Sequence, residues 1–360
     1  MPGVYISYPF CSQKCSFCNF ASGVSSLEVI SRYSRRLMDE IRTHHWQWLP
    51  ETIYLGGGTP SLMDADLLRS ILSAIPATNL TELTLECAPG TITPERLCAW
   101  AGCGINRVSL GVQSFIETEL HQTGRRHNAE TVERDVTALH DSGITNINID
   151  LIAGLPGQTM ASWEKSLDCL ERLNTPHVSI YIFEIDEDSR LGKEALLGGI
   201  RYGAPSLPSD DLTAELYEHT VIRLCQLGIQ RYEISNFARP GTESRHNLKY
   251  WLLEPYVGFG LDAHSYDGRR RWSNPDTLDA YCASAPPDVS ETDRDEEQFF
   301  VGLRLTRGIV PTTAQWTRWA EPIDKWSTAG LLEREGNRLR LSDRGVLLSN
   351  EVFQEFINAE

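Results

Sequence analysis

Three cysteines fall within one short stretch near the N-terminus, Cys11-Ser-Gln-Lys-Cys15-Ser-Phe-Cys18. The spacing is C-x3-C-x2-C. Thiolates are soft ligands that hold iron–sulfur clusters. Three of them hold three irons of a four-iron cluster and leave the fourth iron open to a small-molecule ligand. The same spacing also admits a zinc site or three unrelated thiols. Structural zinc usually takes four ligands in two pairs, and no second Cys/His pair lies nearby.

The chain has nine cysteines in 360 residues. An odd count, with no basic segment leading into a long apolar stretch in the first thirty residues, argues against a disulfide framework and for a reducing cytoplasm. Lys and Arg number 33 against 49 Asp and Glu, a net charge of −16. That balance argues against non-specific binding to nucleic acid or to an anionic membrane, because both need a positive field. No run of eighteen apolar residues is present, so no membrane span is expected. The length fits two domains, or one large α/β domain with an appendage.

The elements that must position the cysteines alternate along the chain. Strands are expected at residues 3–8, 52–55, 80–86, 107–110, 146–152 and 178–183. Helices are expected between them at 27–45, 64–75, 94–101 and 162–173, with helical segments up to about 140 and a long helix at 209–227. Thr93 is the expected N-cap of its helix. Six strand–helix units imply a parallel sheet with crossover helices. The first cysteine follows the first strand, and Gly56-Gly57-Gly58-Thr59-Pro60 follows the second. Residues 197–208 read as an excursion or lid. Residues 236–285 are rich in Gly, Pro and aromatics, with few regular segments expected. Helices, a hairpin around Glu335-Gly336-Asn337 and a last helix at 344–357 then suggest a small winged helical domain. The expected division is 1–235, 236–288 and 289–360.

The cysteine spacing, its place after a first strand and the glycine turn resemble the radical S-adenosylmethionine (SAM) superfamily. There the open iron chelates the amino and carboxylate groups of SAM, and reduction of the cluster releases a 5′-deoxyadenosyl radical. The resemblance implies an α/β fold, a partial (β/α)6 barrel with the small C-terminal domain attached. Tyr5-Ile-Ser-Tyr-Pro-Phe-Cys11, the segment from Gly104 to Phe115, Asp150-Leu-Ile-Ala-Gly-Leu-Pro-Gly-Gln-Thr159 and the segment from Tyr232 to Gly241 narrow it to the oxygen-independent coproporphyrinogen oxidase group. His246-Asn-Leu-Lys-Tyr-Trp251 resembles the mark of that group's haem chaperone (HemW) branch.

The resemblance implies Cys11, Cys15 and Cys18 as ligands of a [4Fe-4S] cluster. It implies Tyr5, Gly57, Gly58, Thr59, Glu86, Gln113, Arg125 and Asp150 as SAM contacts. Gly56 shares the glycine turn, Arg126 is the alternative to Arg125, and Phe17 either packs by the adenine or joins the core. His246 is the expected haem ligand, with Tyr250 and Trp251 beside the porphyrin, and His264 is a second candidate. Arg269-Arg270-Arg271 either meets haem propionates or forms a solvated turn. The implied function is haem binding and transfer to an acceptor protein, with a reductant for the cluster, in the cytoplasm. The alternative is radical decarboxylation of coproporphyrinogen III. Decarboxylating relatives carry a further cysteine where this chain has Phe20, which opposes that alternative. Action on tRNA is opposed by the net charge. The group usually has His at the position of Ser7 and an aliphatic residue at Tyr8, so proton handling beside the cluster is expected to differ here.

Overall fold

Runs of Val, Ile and Leu buried on both faces set the parallel strands. A computed structural model describes residues 2–357. It places β1 at Gly3–Tyr8, β2 at Thr52–Gly57, β3 at Glu82–Cys87, β4 at Arg107–Gln113, β5 at Asn146–Ala153 and β6 at His177–Ile182. Consecutive members pair in parallel from β1 to β6. The crossovers include α1 (Leu27–Thr43), α2 (Ala65–Ala74), α3 (Pro94–Gly102), α4 (Glu117–Gln122), α5 (Ala129–Asp141) and α6 (Met160–Leu173). All but α4 start with a side-chain cap that satisfies free backbone N–H groups: Ser26, Asp64, Thr93, Asn128 and Thr159. Thr159 and Ser162 form a reciprocal capping box.

The sheet does not end with these six. After α7 (Arg190–Leu196) and α8 (Asp210–Gln226), strands β7 (Gln230–Arg231) and β8 (Asn236–Ala238) extend it beyond β6 in antiparallel fashion. The chain then forms α9 (Arg245–Trp251) and returns to the opposite edge. There β9 (Tyr256–Phe259) pairs in parallel with β1, followed outward by β10 (His264–Tyr266), β11 (Arg270–Ser273) and, after α10 (Leu278–Cys282), β12 (Asp288–Glu291). The segment expected to hold few regular elements thus supplies strands to both edges. Strands of three or four residues are too short to show a period.

Residues 294–357 pack as α11 (Arg294–Phe300), α12 (Thr313–Arg318), α13 (Ala320–Thr328), the hairpin β13 (Leu332–Glu335) and β14 (Arg338–Leu341), α14 (Asp343–Leu347) and α15 (Ser349–Gln354). The expected last helix is two short helices. Phe299, Trp319 and Phe356 meet ring to ring and are fully buried.

The loop after β1 has no regular structure, so backbone bonds from several elements fix it. The amides of Gly58 and Thr59 donate to the carbonyls of Tyr8 and Phe10, each at 2.9 Å, and Cys11 N–H donates to Gly23 at 2.9 Å. Ser16 N–H donates to Thr123 just past α4 at 3.0 Å, and Leu191 N–H in α7 donates to the Ser16 carbonyl at 2.8 Å. The excursion after β6 is therefore tied to the cysteine loop. Gly58 has a packing reason of its own. A Cβ there would stand 2.8 Å from the Pro9 carbonyl carbon and the Phe10 amide nitrogen. Both are backbone atoms that cannot swing away. Gly58→Ala is expected to displace the loop and destabilise the chain by about 1–3 kcal/mol. Iron and sulfide per chain, measured after anaerobic reconstitution, should fall several-fold while far-ultraviolet circular dichroism is retained.

Candidate functional site

A cavity of about 540 Å³ opens where the C-terminal ends of β2–β6 meet the cysteine loop. This is the end at which parallel barrels present functional side chains. Cys11, Cys15 and Cys18 all line it. Each is a free thiol, and burial raises the pKa of Cys11. Among the described residues no three His, Cys, Asp or Glu converge on a single ion position. A polynuclear cluster instead takes thiolates spread around it.

The same cavity brings together Gly57, Gly58, Thr59, Glu86, Gln113, Arg125 and Asp150, with Phe17 at its wall. Glu86 is the penultimate residue of β3, accepting from the Tyr54 hydroxyl at 2.9 Å and from the Gly57 amide at 3.1 Å. Burial, and then the nearby Asp150 carboxylate, push its pKa up to about 7. Asp150 accepts from Ser109 Oγ at 3.0 Å and Asn148 Nδ2 at 2.7 Å, and burial raises its pKa. The β4–β5 register slips between Gly111 and Gln113, and Gln113 takes a left-handed φ of 70°. An irregularity of that kind re-aims a side chain at a strand end. Gln113 Oε1 and Arg125 Nε are buried with no hydrogen-bond partner among the described residues. Such orphaned groups fit a polar ligand in the cavity. Arg125 is half-buried and its guanidinium donates to the Gly111 carbonyl at 2.9 Å, whereas Arg126 is exposed at the rim.

Tyr5 stands elsewhere. Alternate β1 side chains share a face, so Tyr5 and Ser7 both line a second cavity, of about 560 Å³, on the other side of Gly57. Tyr5 is therefore not a wall of the cysteine cavity. Tyr250, Trp251, Tyr256, Asp262, His264 and Arg271 also line this second space, and Phe20, Ser22 and Gly57 are common to both. Ser7, where the wider group usually has His, is thus a small residue on the second wall. In the basic run, Arg270 pairs with Asp267 inside the turn, and Arg271 pairs with the buried Glu297 and donates to the Tyr256 hydroxyl at 2.8 Å.

His246 lines neither cavity. It is fully buried at the opposite, N-terminal end of the barrel. Its Nδ1 meets Thr52 Oγ1 at 2.9 Å and its Nε2 meets the Tyr250 hydroxyl at 2.8 Å. Its backbone N–H and that of Arg245 donate to the buried Glu82 carboxylate at 2.9 and 2.8 Å. Lys249 is also buried, and pairs with Glu51 at 2.9 Å. An axial iron ligand needs a free ring nitrogen facing an open space. In the structure described, both ring nitrogens of His246 are engaged inside the barrel. The motif plugs the barrel floor and presents Tyr250 and Trp251 to the second cavity. Burial, with Lys249 and Arg107 nearby, lowers the His246 pKa to about 3.

One titratable cavity residue the sequence reading did not single out is a histidine. His127 lies two positions after Arg125 and lines the cysteine cavity, with Nε2 bonded to the Val112 carbonyl at 3.0 Å. Burial and then Arg125 lower its pKa to about 4. Its nearness to the paired arginines was the available signal.

Residues 5–170 match the model of the radical SAM superfamily. Over its whole length the fold is similar to that of coproporphyrinogen III oxidase (HemN) from Escherichia coli, with a TM-score of 0.84 at 21% identity, covering 100% of this chain and 90% of that one. The chain is a radical SAM protein with the HemN fold. It is 33% identical to the haem chaperone HemW of Lactococcus lactis subsp. lactis, covering 98% of this chain and 96% of that one. It is 32% identical to the HemW of Bacillus subtilis, covering 99% of both. Within the superfamily it belongs to the haem chaperone HemW family.

Because the folded-state pKa of His246 lies below the ordinary value of 6.5, the unfolded chain takes up the proton first. Stability contributed by this group is intact above about pH 6.5 and falls as the pH drops from there toward about 3. His246→Gln is expected to cost about 2 kcal/mol near neutrality through lost hydrogen bonds and packing. Denaturant midpoints should show that gap narrowing by about 1 kcal/mol between pH ~7.5 and ~5.5.

Proposed function

We propose that this chain is a haem chaperone that carries a [4Fe-4S] cluster and SAM at its barrel mouth and hands haem to an acceptor protein. The observation that carries this reading is likeness to haem chaperones over 98% of the chain, the C-terminal part included, and not over the barrel alone. The proposed cluster ligands are Cys11, Cys15 and Cys18. The proposed SAM contacts are Gly57, Gly58, Thr59, Glu86, Gln113, Arg125 and Asp150.

The cluster, when bound, supplies an open iron that can chelate SAM and deliver an electron to it. The residues around it bind and orient. Glu86 has one lone pair left on each oxygen for ribose hydroxyls. Arg125 places a fixed cation beside the cavity for a carboxylate. Gln113 Oε1 offers an acceptor that the protein leaves unused.

Decarboxylation of coproporphyrinogen III is the second reading, and no side chain here favours it. The position that carries an extra cysteine in decarboxylating relatives is Phe20, exposed at the lip shared by the two cavities. The acceptor and the reductant are proposed by class only. No described helix is long and apolar enough to cross a membrane, and we place the protein in the cytoplasm.

The test uses the full chain, reconstituted anaerobically and loaded with one haem. Haem should move to an apo-haemoprotein such as apomyoglobin, read by its Soret band. Cys15→Ala should lose the cluster absorption and alter transfer by at least about threefold. Incubation with SAM, reductant and coproporphyrinogen III should give no vinyl product by chromatography. Vinyl products absent from the Cys15→Ala control would replace the chaperone reading with the enzymatic one.

A further inference from the structure

Helix α7 has an outer face that the site described above does not use. Its inner face holds Leu191 and Gly192, both buried, and Gly192 packs so closely on the Asp186 carbonyl that a Cβ there would overlap it. The outer face runs through Arg190, Lys193 and Leu196, all exposed, and continues past the helix end to Leu197, Ile200 and Arg201. Leu197 and Ile200 are 85% and 83% exposed. A cluster of large aliphatic side chains in water marks an interaction surface. No residue from 190 to 201 lines either cavity, so this face closes no pocket and is turned to an outside partner.

The helix sits against the cysteine loop. The Arg190 guanidinium donates to the Lys14 carbonyl, and the Leu191 N–H donates to the Ser16 carbonyl at 2.8 Å. Helix α7 thus holds the residues on both sides of Cys15. Lys14 and Arg126 stand at the rim of the first cavity, and Arg190, Lys193 and Arg201 extend that positive rim outward. None of these cations forms an ion pair with a carboxylate among the described residues. Lys14 Nζ donates to the Phe20 carbonyl at 3.0 Å, and Arg190 lies over the Tyr202 ring at 5.4 Å. Two neighbouring carboxylates are engaged elsewhere, Asp186 with the Asn19 side chain and Glu194 with the Arg201 N–H. Glu184, Glu187 and Asp188 are exposed in the loop from β6 to α7 and bound the patch on that side.

A positive rim around an apolar centre is local in a chain whose net charge is −16. Such a surface selects its complement, an acidic protein with an apolar contact patch. The chemistry of the loop narrows the partner further. A cluster held by Cys11, Cys15 and Cys18 delivers an electron to SAM and must first receive one. Electron transfer between proteins falls steeply with distance, and a partner seated on α7 lies next to Cys15. Electron-transfer pairs use small, short-lived interfaces, and attraction between opposite charges raises their encounter rate.

We infer that the outer face of α7, centred on Lys193, Leu197, Ile200 and Arg201, docks a small acidic electron-carrier protein that reduces the cluster. The step moves one electron: the carrier is oxidised by one and the cluster reduced by one, with no bond made or broken. The inference rests on the proposed cluster. The experiment uses the reconstituted full chain, with an acidic flavodoxin as the probe. Calorimetry titrates binding of the oxidised flavodoxin, and stopped-flow absorption follows cluster reduction by its hydroquinone in the presence of SAM. The double variant Lys193→Glu, Arg201→Glu should bind and be reduced at least about tenfold more weakly and slowly, and should lose most of the salt dependence. Dithionite should reduce the cluster of the wild-type chain and of this variant alike. The double variant Leu197→Ser, Ile200→Ser should weaken binding several-fold and keep the salt dependence. Unchanged affinity and rate in both variants would overturn the inference and leave the cluster standing, as would a wild-type chain that flavodoxin does not bind or does not reduce. Substitutions that spare flavodoxin but abolish binding to apomyoglobin or to anionic lipid vesicles would overturn it too, and assign the face to a haem acceptor or a membrane. A wild-type chain that takes up no iron and sulfide would overturn the cluster reading and this inference together.

Discussion

A loop without helix or strand must be held in one conformation if three thiolates are to share a cluster and leave one iron open. That constraint organises the barrel mouth. The loop's own backbone groups have no ladder to join, so other elements supply their partners. The end of β2 binds one side through Gly58 and Thr59, Thr123 past α4 binds the middle, and Leu191 of α7 binds the carbonyl of the same Ser16. The glycine turn serves this approach, because a side chain at 58 would strike the backbone of Pro9 and Phe10 just after β1. The residues that look like a ligand cradle are also what lets the loop sit close to the sheet.

The barrel interior continues the theme of polar groups that need fixed partners. Asn148 donates to Ser109 and Asp150 and accepts from the Ser179 hydroxyl, and His177 bridges Asn148 and Tyr232. Arg107 is buried with them, and its charge opposes the raised pKa values of Glu86 and Asp150. At the floor, Glu82 accepts the backbone N–H groups of Arg245 and His246, docking α9 across the strand starts. The floor is thereby closed. The first cavity lies at the other face, and the second runs from Tyr250 and Tyr256 to meet it at Phe20, Ser22 and Gly57. A ligand in one is placed to sense a ligand in the other.

What was legible in the sequence was local. The six parallel strands, the cap at Thr93 and the long helix from about residue 209 depend on neighbouring residues, and the structure agrees with them. Two kinds of information were not local. One was direction: His246-Asn-Leu-Lys-Tyr-Trp251 identifies a family, but only the docking of α9 shows that the imidazole points to the floor while Tyr250 and Trp251 point to the second cavity. The other was assembly. That cavity is built from β1, the cysteine loop, α9, the β9–β10 turn, β11 and the end of α11, and no window of sequence contains it. Tyr5 shows the same limit: the pleat puts it with Ser7 on the wall of the second cavity, which meets the first at Gly57.

The central claim is that Cys11, Cys15 and Cys18 hold a [4Fe-4S] cluster whose open iron faces the polar groups of the first cavity. The most direct test is electron paramagnetic resonance of the reconstituted, reduced full chain with and without SAM. The account predicts a cluster signal that SAM shifts in the wild-type chain and that Cys15→Ala lacks. A reduced cluster whose signal SAM leaves unchanged would contradict the claim.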